Sequence, residues 1–463
     1  MATNTFPDAT VVKSASMLSE GVHAHYRCPE NFLDFALSGP LSSDRKFFQF
    51  RPNVRCYGRY CLGQPQNPVA SSMGGSSVSA VEDHGRLRLP FDPTEIVDNL
   101  RLERYPKAEG LGTGRSSYLR KLYYLVRPAL NLAVRKQIQR FCARNWQDIS
   151  FPSWPVDTTV ENICENLLLA SLQAKRIESV PFVWFWPAGA RGCVIMTHDV
   201  ETKAGRDHCA ELMDMDDSVG IKASFQIVPA HRYPVGLSFV ETIRNRGFEI
   251  GIQDFNHDGR LFDDREKFLR RAALINRYAH EYGAKGFRAA VLYRNPEWYD
   301  ALNLSFDMSF PNVAHLDPQR GGCCTVMPYF IGDILEIPVT TTQDFTVFHL
   351  LNQRSIDLWK TQIQMVLEKN GLVSFIVHPD YVMEPKTKPV YRKLLAHLRE
   401  LRESQHLWFA LPAEVDTWWR SRSKMCVVKC GNAWRIEGEG AERAVLAYAK
   451  NLNGELRYEV AAG

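Results

Sequence analysis

From Pro181 onward the chain alternates short, almost wholly apolar runs with longer segments in which apolar residues recur every three or four positions. The short runs, at 193–197, 223–228, 248–252 and 286–292, are too brief for helices and too apolar for half-exposed strands, so they read as strands buried on both faces. Between them, 209–217, 238–246 and 264–282 carry a helical period. This alternation predicts parallel strands joined by crossover helices, in a barrel or an open sheet. Further strands are expected at 334–339 and 372–377, helices at 356–369 and 390–403, and a final strand at Trp408-Phe409-Ala410-Leu411.

Ahead of that region the pattern is less regular. Residues 1–45 show no sustained period, 46–62 alternate as one or two strands with Pro52 at an edge or turn, and the small polar run 69–80 reads as a loop. Asp92 caps a short helix running through Leu100, with Pro93 at its first position. Residues 118–145 predict a longer amphipathic helix, whose basic face (Arg120, Lys121, Arg127, Arg135, Lys136, Arg140) reads as solvated in preference to a docking surface. Phe151-Pro152-Ser153-Trp154-Pro155 is a rigid linker, and Asp157 caps a helix at 158–175. Residues 425–460, with Val427, Trp434, Ile436 and Tyr458 amid Gly and Asn, predict a small β appendage. The expected division is therefore an N-terminal α+β accessory region (1–150), a parallel α/β unit (151–423) and the appendage (424–463). Trp154, Trp184 and Trp186 flank the first junction and should bury together, tying accessory region to sheet.

Composition narrows the function. With 463 residues, 45% of them hydrophobic, the chain can bury a large core, and a net charge of +4 is too small to argue for nucleic acid or an anionic membrane as partner. Eleven cysteines, an odd number without a C-x-x-C pair or a signal peptide ahead of them, point to reduced thiols in a cytoplasm, with Cys323 and Cys324 packed side by side. No apolar run approaches the ~20 residues that cross a bilayer, so no direct membrane insertion is expected.

The candidate chemistry sits where the predicted strands end. Asp199 and Glu201 follow the first, Gln253 to His257 the third, Arg288 lies at the fourth, and His378 closes the strand at 372–377. Each has a structural explanation when taken singly: a helix cap, a loop histidine, an ion-pair partner, a packed core histidine. Their recurrence at strand ends is the argument, because those ends face one pocket in a parallel barrel. His208 and the run Asp214, Asp216, Asp217 lie on or just past a helix and read as solvent-facing. No Gly-rich phosphate cradle, Ser-His-Asp order or zinc-finger spacing is present.

Between residues 181 and 419 these motifs resemble the polysaccharide deacetylase (NodB-homology) family of carbohydrate esterases. The resemblance implies a distorted parallel (β/α) barrel and removal of N- or O-acetyl groups from sugars. Thr197-His198-Asp199-Val200-Glu201 is similar to that family's first motif, which makes Asp199 the catalytic base and Glu201 a metal ligand. Its second motif, a His-x-x-x-His pair holding Zn²⁺ or another divalent metal, reads Gln253-Asp254-Phe255-Asn256-His257 here. His257 matches, and Gln253 stands in place of the first histidine. Arg288, in Gly286-Phe287-Arg288-Ala289-Ala290, corresponds to the arginine that orients the base, with Ala290 replacing the usual proline. Asp307, in Phe306-Asp307-Met308-Ser309, corresponds to the aspartate that orients the catalytic histidine, and Phe375-Ile376-Val377-His378 makes His378 the general acid. Tyr293, Arg294 and Tyr381 are candidates for lining a sugar pocket or for packing.

The chemistry requires these residue types. A metal polarises the acetyl carbonyl and acidifies bound water, a carboxylate takes the water's proton, and a histidine protonates the leaving nitrogen or oxygen. An amide oxygen is a poorer zinc ligand than an imidazole, so Gln253 predicts weak metal binding unless Asp254 or Asp258 completes the shell. The expected partner is an acetylated sugar or polysaccharide precursor. Two rivals follow from Gln253: a degenerate member that binds a glycan or an assembly partner, and a metal-independent C–N hydrolase of the same fold.

Overall fold

The apolar run at 193–197 extends in the structure to Gly192–Val200 (β1), nine residues all buried, and it is the strand on which the main sheet is built. The structure is a computed structural model and describes residues 15–51, 54–61, 67–69, 75–77, 80–107, 137 and 145–461. Ala223–Ile227 (β2), Glu249–Gln253 (β3), Gly286–Arg288 (β4) and Phe306–Asp307 (β5) follow β1 in spatial order, and Tyr329–Ile331 (β6) and Ile334–Glu336 (β7) lie beyond them. Leu372–Val377 (β8) flanks β1 on its other side, giving the order β6-β7-β5-β4-β3-β2-β1-β8. Leu407–Phe409 (β9) shares an edge of β1 with β2: it takes Gly192 to Val194, and β2 takes Met196 to Val200. Every pairing is parallel except that of β6 with β7. Parallel strands covered by helices on their faces need apolar residues throughout, hence the continuous runs in the sequence.

The expected barrel takes the form of a curled sheet. Among the described residues no ladder joins β7 to β8; residues 338–341 run past β8 and are stitched to it by hydroxyls. Ser374 Oγ donates to the Pro338 carbonyl (2.7 Å), Thr340 Oγ1 accepts from the Ser374 amide (2.9 Å), and Thr341 Oγ1 donates to the Ser374 carbonyl (2.7 Å). Gly286 has a packing reason, since a Cβ there would lie 2.2 Å from the Phe306 ring.

Two cores meet at the sheet. Val194 and Met196 join one with the crossover helices Lys203–Asp217, Leu237–Asn245, Arg265–Tyr282 and Lys388–Ser404, whereas Cys193 and Ile195 join the other. That second core also holds Tyr26, Phe35, Phe91 and Leu100 of the accessory region, Leu167 and Leu168 of the helix Thr159–Lys175, Trp184, Trp186, Trp418 and Ala447. Accessory region, sheet and appendage thus bury apolar surface in common. The strand Leu446–Leu452 pairs antiparallel with Ser179–Val183, so the appendage continues a sheet begun ahead of β1. Asp92 Oδ1 accepts from the Thr94 and Glu95 amides at the start of Pro93–Arg101, as its position predicts.

Several expectations are corrected. Residues 1–45 include the helix Ala15–Tyr26, whose inward positions Leu18, Val22 and Tyr26 recur only every fourth residue amid Ser, Gly and His. The run read as a loop at 69–80 contains Gly75–Ser77, which pairs with Lys46–Arg51 and with Asn67–Val69. Asp216 is buried, not solvent-facing, because the His198 ring (2.7 Å) and the Tyr391 hydroxyl (2.5 Å) enclose its carboxylate. Trp154 does not join Trp184 and Trp186; it lies half-buried against Trp146 and His315. Apart from residues 137 and 145, the helix expected at 118–145 lies outside the described residues.

Candidate active site

The odd-numbered positions of β1 carry the transition from core to site. Cys193 and Ile195 are apolar, and Thr197 and Asp199 follow on the same face, since side chains alternate along a strand. Asp199, 3% exposed, meets the Arg288 guanidinium at the end of β4 (Oδ1 to Nη1, 2.6 Å). The same Nη1 donates to Thr197 Oγ1 (2.7 Å), and Arg288 Nε donates to the Met308 carbonyl (3.1 Å). A strand, a neighbouring hydroxyl and a carbonyl fix the guanidinium against Asp199.

Glu201, one residue past β1, is where the other groups converge. His257 Nε2 lies 2.8 Å and His378 Nε2 3.4 Å from its Oε1. Burial alone would raise the Glu201 pKa, but the two imidazoles outweigh it and hold the carboxyl well below its usual range. Gln253, the last residue of β3, points its amide nitrogen at both acids, 3.1 Å from Asp199 Oδ2 and 3.3 Å from Glu201 Oε1. Its carbonyl oxygen would be repelled there, so the amide is a donor to the carboxylates and not, in this arrangement, the oxygen ligand anticipated from sequence.

His378 follows β8 and is held by Asp344: Nδ1 lies 2.7 Å from Oδ1, and the His378 amide donates to Oδ2 (2.8 Å). Burial would depress the His378 pKa, yet the Asp344 and Glu201 carboxylates raise it well above 6.5. Asp307, expected to orient the histidine, is elsewhere. It accepts from Ser309 Oγ (2.6 Å) and pairs with Glu336 on β7, so the orienting contact belongs to Asp344. Sequence reasoning missed Asp344, though it offered one signal: a carboxylate just beyond the strand expected at 334–339, at the same end of the sheet as the other candidates.

Of the remaining candidates, Tyr381 reaches the site, its ring centroid 4.9 Å from that of His378. Asp258 is bound to Arg271 (2.5 Å); burial would raise its carboxyl, but the guanidinium draws it down to about 2. Asp254 is fully buried and accepts from the Phe255 amide (2.5 Å). Arg294 is bound to Glu103 of the accessory region, and Tyr293 is buried.

The residues present fit a divalent ion. One ligand atom each of Asp199, Glu201 and His378 lie within 4.8 Å of one another. Nδ1 of buried His257 is without a hydrogen-bond partner, a state buried polar groups rarely keep unless a ligand or water completes them. Carboxylate and imidazole donors suit zinc and similar ions.

No protein-family model matches the chain, and no curated protein sequence matches it. Similar solved structures include a protein designated a polysaccharide deacetylase from Mycobacterium smegmatis (17% identity, TM-score 0.42, covering 51% of this chain and 93% of that one). Another is designated a polysaccharide deacetylase from Pseudomonas aeruginosa (12%, 0.41, 51% and 93%), and a third is the Puue allantoinase (11%, 0.40, 51% and 92%). The likeness is one of fold and spans half of the chain.

Proposed function

We propose that this chain is a divergent hydrolase of the polysaccharide deacetylase kind, removing an acetyl group from an N- or O-acetylated sugar or polysaccharide precursor. The observation that carries this reading is the opposition of two separately oriented groups across one gap. Asp199, aimed by Arg288, and His378, aimed by Asp344, lie with ligand atoms within 4.8 Å of each other. Asp199 takes the proton of a water attacking the acetyl carbon. The proton on His378 passes to the leaving nitrogen or oxygen as the acyl bond breaks, giving acetate and a free amine or hydroxyl. Asp344 fixes the ring so that Nε2 is the proton-bearing edge facing the gap. Glu201 and His257, with Asp199 nearby, would hold a divalent ion, which when bound supplies carbonyl polarisation and a more acidic water. The ten described cysteines are free thiols, which suits a cytoplasmic enzyme.

A second reading, the metal-independent C–N hydrolase, is favoured by Gln253, whose amide nitrogen already supplies hydrogen bonds to both carboxylates. Acetate release from a panel of acetylated sugars, run on protein as purified, after chelation and after zinc addition, separates the two. Activity lost on chelation and restored by zinc supports the metal-assisted reaction; unchanged activity supports the metal-independent one. Glycan binding with no acetate released under any condition would leave a binding protein in place of an enzyme.

A further inference from the structure

One edge of β1 carries two neighbours, and the two junctions are made differently. Where β9 leaves that edge, its last pair is Phe409 with Val194, and the next amide, that of Ala410, donates to the Val194 carbonyl (3.0 Å), as a parallel ladder dictates. Where β2 leaves it, the last pair is Ile227 with Val200. Val200 lies an even number of residues from Val194, so its carbonyl faces the same edge and should take the next amide, that of Val228. A phenol stands between them instead. The Val228 amide donates to the Tyr233 hydroxyl (3.1 Å), and that hydroxyl donates to the Val200 carbonyl (2.5 Å).

The interposed oxygen acts at the peptide between the two acids of the site, because Val200 separates Asp199 from Glu201. The Val200 carbonyl and the Glu201 amide belong to one planar unit. Whatever fixes that carbonyl therefore fixes the direction in which Glu201 leaves the strand. Glu201 Oε1 is where His257 Nε2 (2.8 Å), His378 Nε2 (3.4 Å) and the Gln253 amide (3.3 Å) converge, so a turn of that peptide would move the acid away from all three.

The loop that carries the phenol also holds the segment bearing the imidazole. Between β2 and the helix Leu237–Asn245, the Ala230 amide donates to the Phe255 carbonyl (3.2 Å), inside the stretch from Gln253 to His257. On its other side that stretch is tied to β4, whose Arg288 carbonyl accepts from the Asp254 amide (2.8 Å). Asp254 and His257 have left-handed backbones (φ +55° and +53°), an uncommon state outside glycine that persists only where neighbours hold it. Tyr233 is 7% exposed and lies in one core with Val200 and Val228, so its ring has little room to carry the hydroxyl elsewhere.

Building on the metal-assisted reading, we propose that Tyr233 is a positioning residue of the candidate metal site: its hydroxyl replaces the last ladder bond between β1 and β2 and fixes the peptide from which Glu201 leaves, while its loop holds the segment bearing His257. Carboxylate and imidazole are thereby set for one ion by a hydroxyl that is hydrogen-bonded to neither.

The test is a zinc titration of the full chain against a competing chelator, with melting curves recorded on the same preparations. Tyr233→Phe keeps the ring and its packing and removes one oxygen. Tyr105→Phe is the control, since it deletes another buried hydroxyl bonded to a backbone carbonyl, that of Gly322 (2.5 Å), in the accessory region. Tyr233→Phe raises the zinc Kd about 10–100-fold, the scale on which supporting groups of a metal site act, whereas Tyr105→Phe leaves it unchanged although both lower the melting temperature. A Tyr233→Phe protein that binds zinc like its parent overturns this proposal and leaves the metal-assisted reading standing. So does a loss that Tyr105→Phe reproduces, because general loosening would then be its cause. A parent that takes up no zinc removes the metal-assisted reading and this proposal together.

Discussion

Two pairs of acids, all buried except half-buried Glu201, meet opposite surroundings at the same curled sheet. Asp199 and Glu201, at the end of β1, face Arg288, His257, His378 and the Gln253 amide, all of them donors or cations. Asp307 and Glu336, directly opposite each other on β5 and β7, are held by Ser309 Oγ and the Phe310 amide. Glu201 is held well below the usual carboxylate range by its imidazoles, whereas burial and the neighbouring carboxyl push Glu336 well above it. The difference teaches that burial does not decide what an acid can do; its partners do. The first pair faces donors and cations that hold charge, and the second, pushed towards its neutral form by burial, joins two short strands.

The largest contrast is in activity. Asp199→Asn, nearly isosteric but unable to take a proton, should lower acetate release by ~10²–10⁴-fold, while Asp307→Asn changes it less than about threefold. Comparable losses in the two variants would erase the distinction between the pairs. In stability, Arg288→Met strands the buried Asp199 charge and should cost about 3–5 kcal/mol in denaturant unfolding. A cost under about 1 kcal/mol would mean that water reaches the acid and that the guanidinium is not its main partner. Asp344→Asn removes one of the carboxylates that raise the His378 pKa and should lower kcat by about 10–100-fold. It should also move the alkaline limb of the pH–rate profile to lower pH; an unmoved limb would place the acid elsewhere.

The smallest effect concerns pH and the second pair. Because the Glu336 pKa is raised above 4.5 in the folded protein, the stability it contributes is complete below that pH and is lost as pH rises through the raised value. Glu336→Gln keeps a polar group without the charge, so its melting temperature should gain on the parent's as pH rises above 4.5. A difference that stays constant as pH rises would show that the Glu336 carboxyl is not raised in the folded protein.

Legibility in the sequence followed the physics of each element. β1, β2, β3 and β8 were readable because strands buried on both faces need unbroken apolar runs, and Asp199, Glu201, Arg288, His257 and His378 were readable because they end or follow such runs. β5 and β6 have two or three residues each, too few to show a period, whereas β7 lies within the strand expected at 334–339. Asp344 lies in a segment without regular pattern, and the pairings of Asp307 with Glu336 and of Glu103 with Arg294 join residues far apart in sequence, which no local pattern encodes. Gln253 was visible as an exception, but the direction of its amide depends on two carboxylates brought to it by β1.

The account's central claim is that Asp199 activates water against an acetyl group. Its most direct test is turnover of an acetylated sugar in heavy-oxygen water, with mass analysis of the acetate. The parent should place one solvent oxygen in each acetate and release one free amine or hydroxyl for it, and Asp199→Asn should do so at least ~10²-fold more slowly. Acetate formed at the parent's rate by Asp199→Asn would contradict the account.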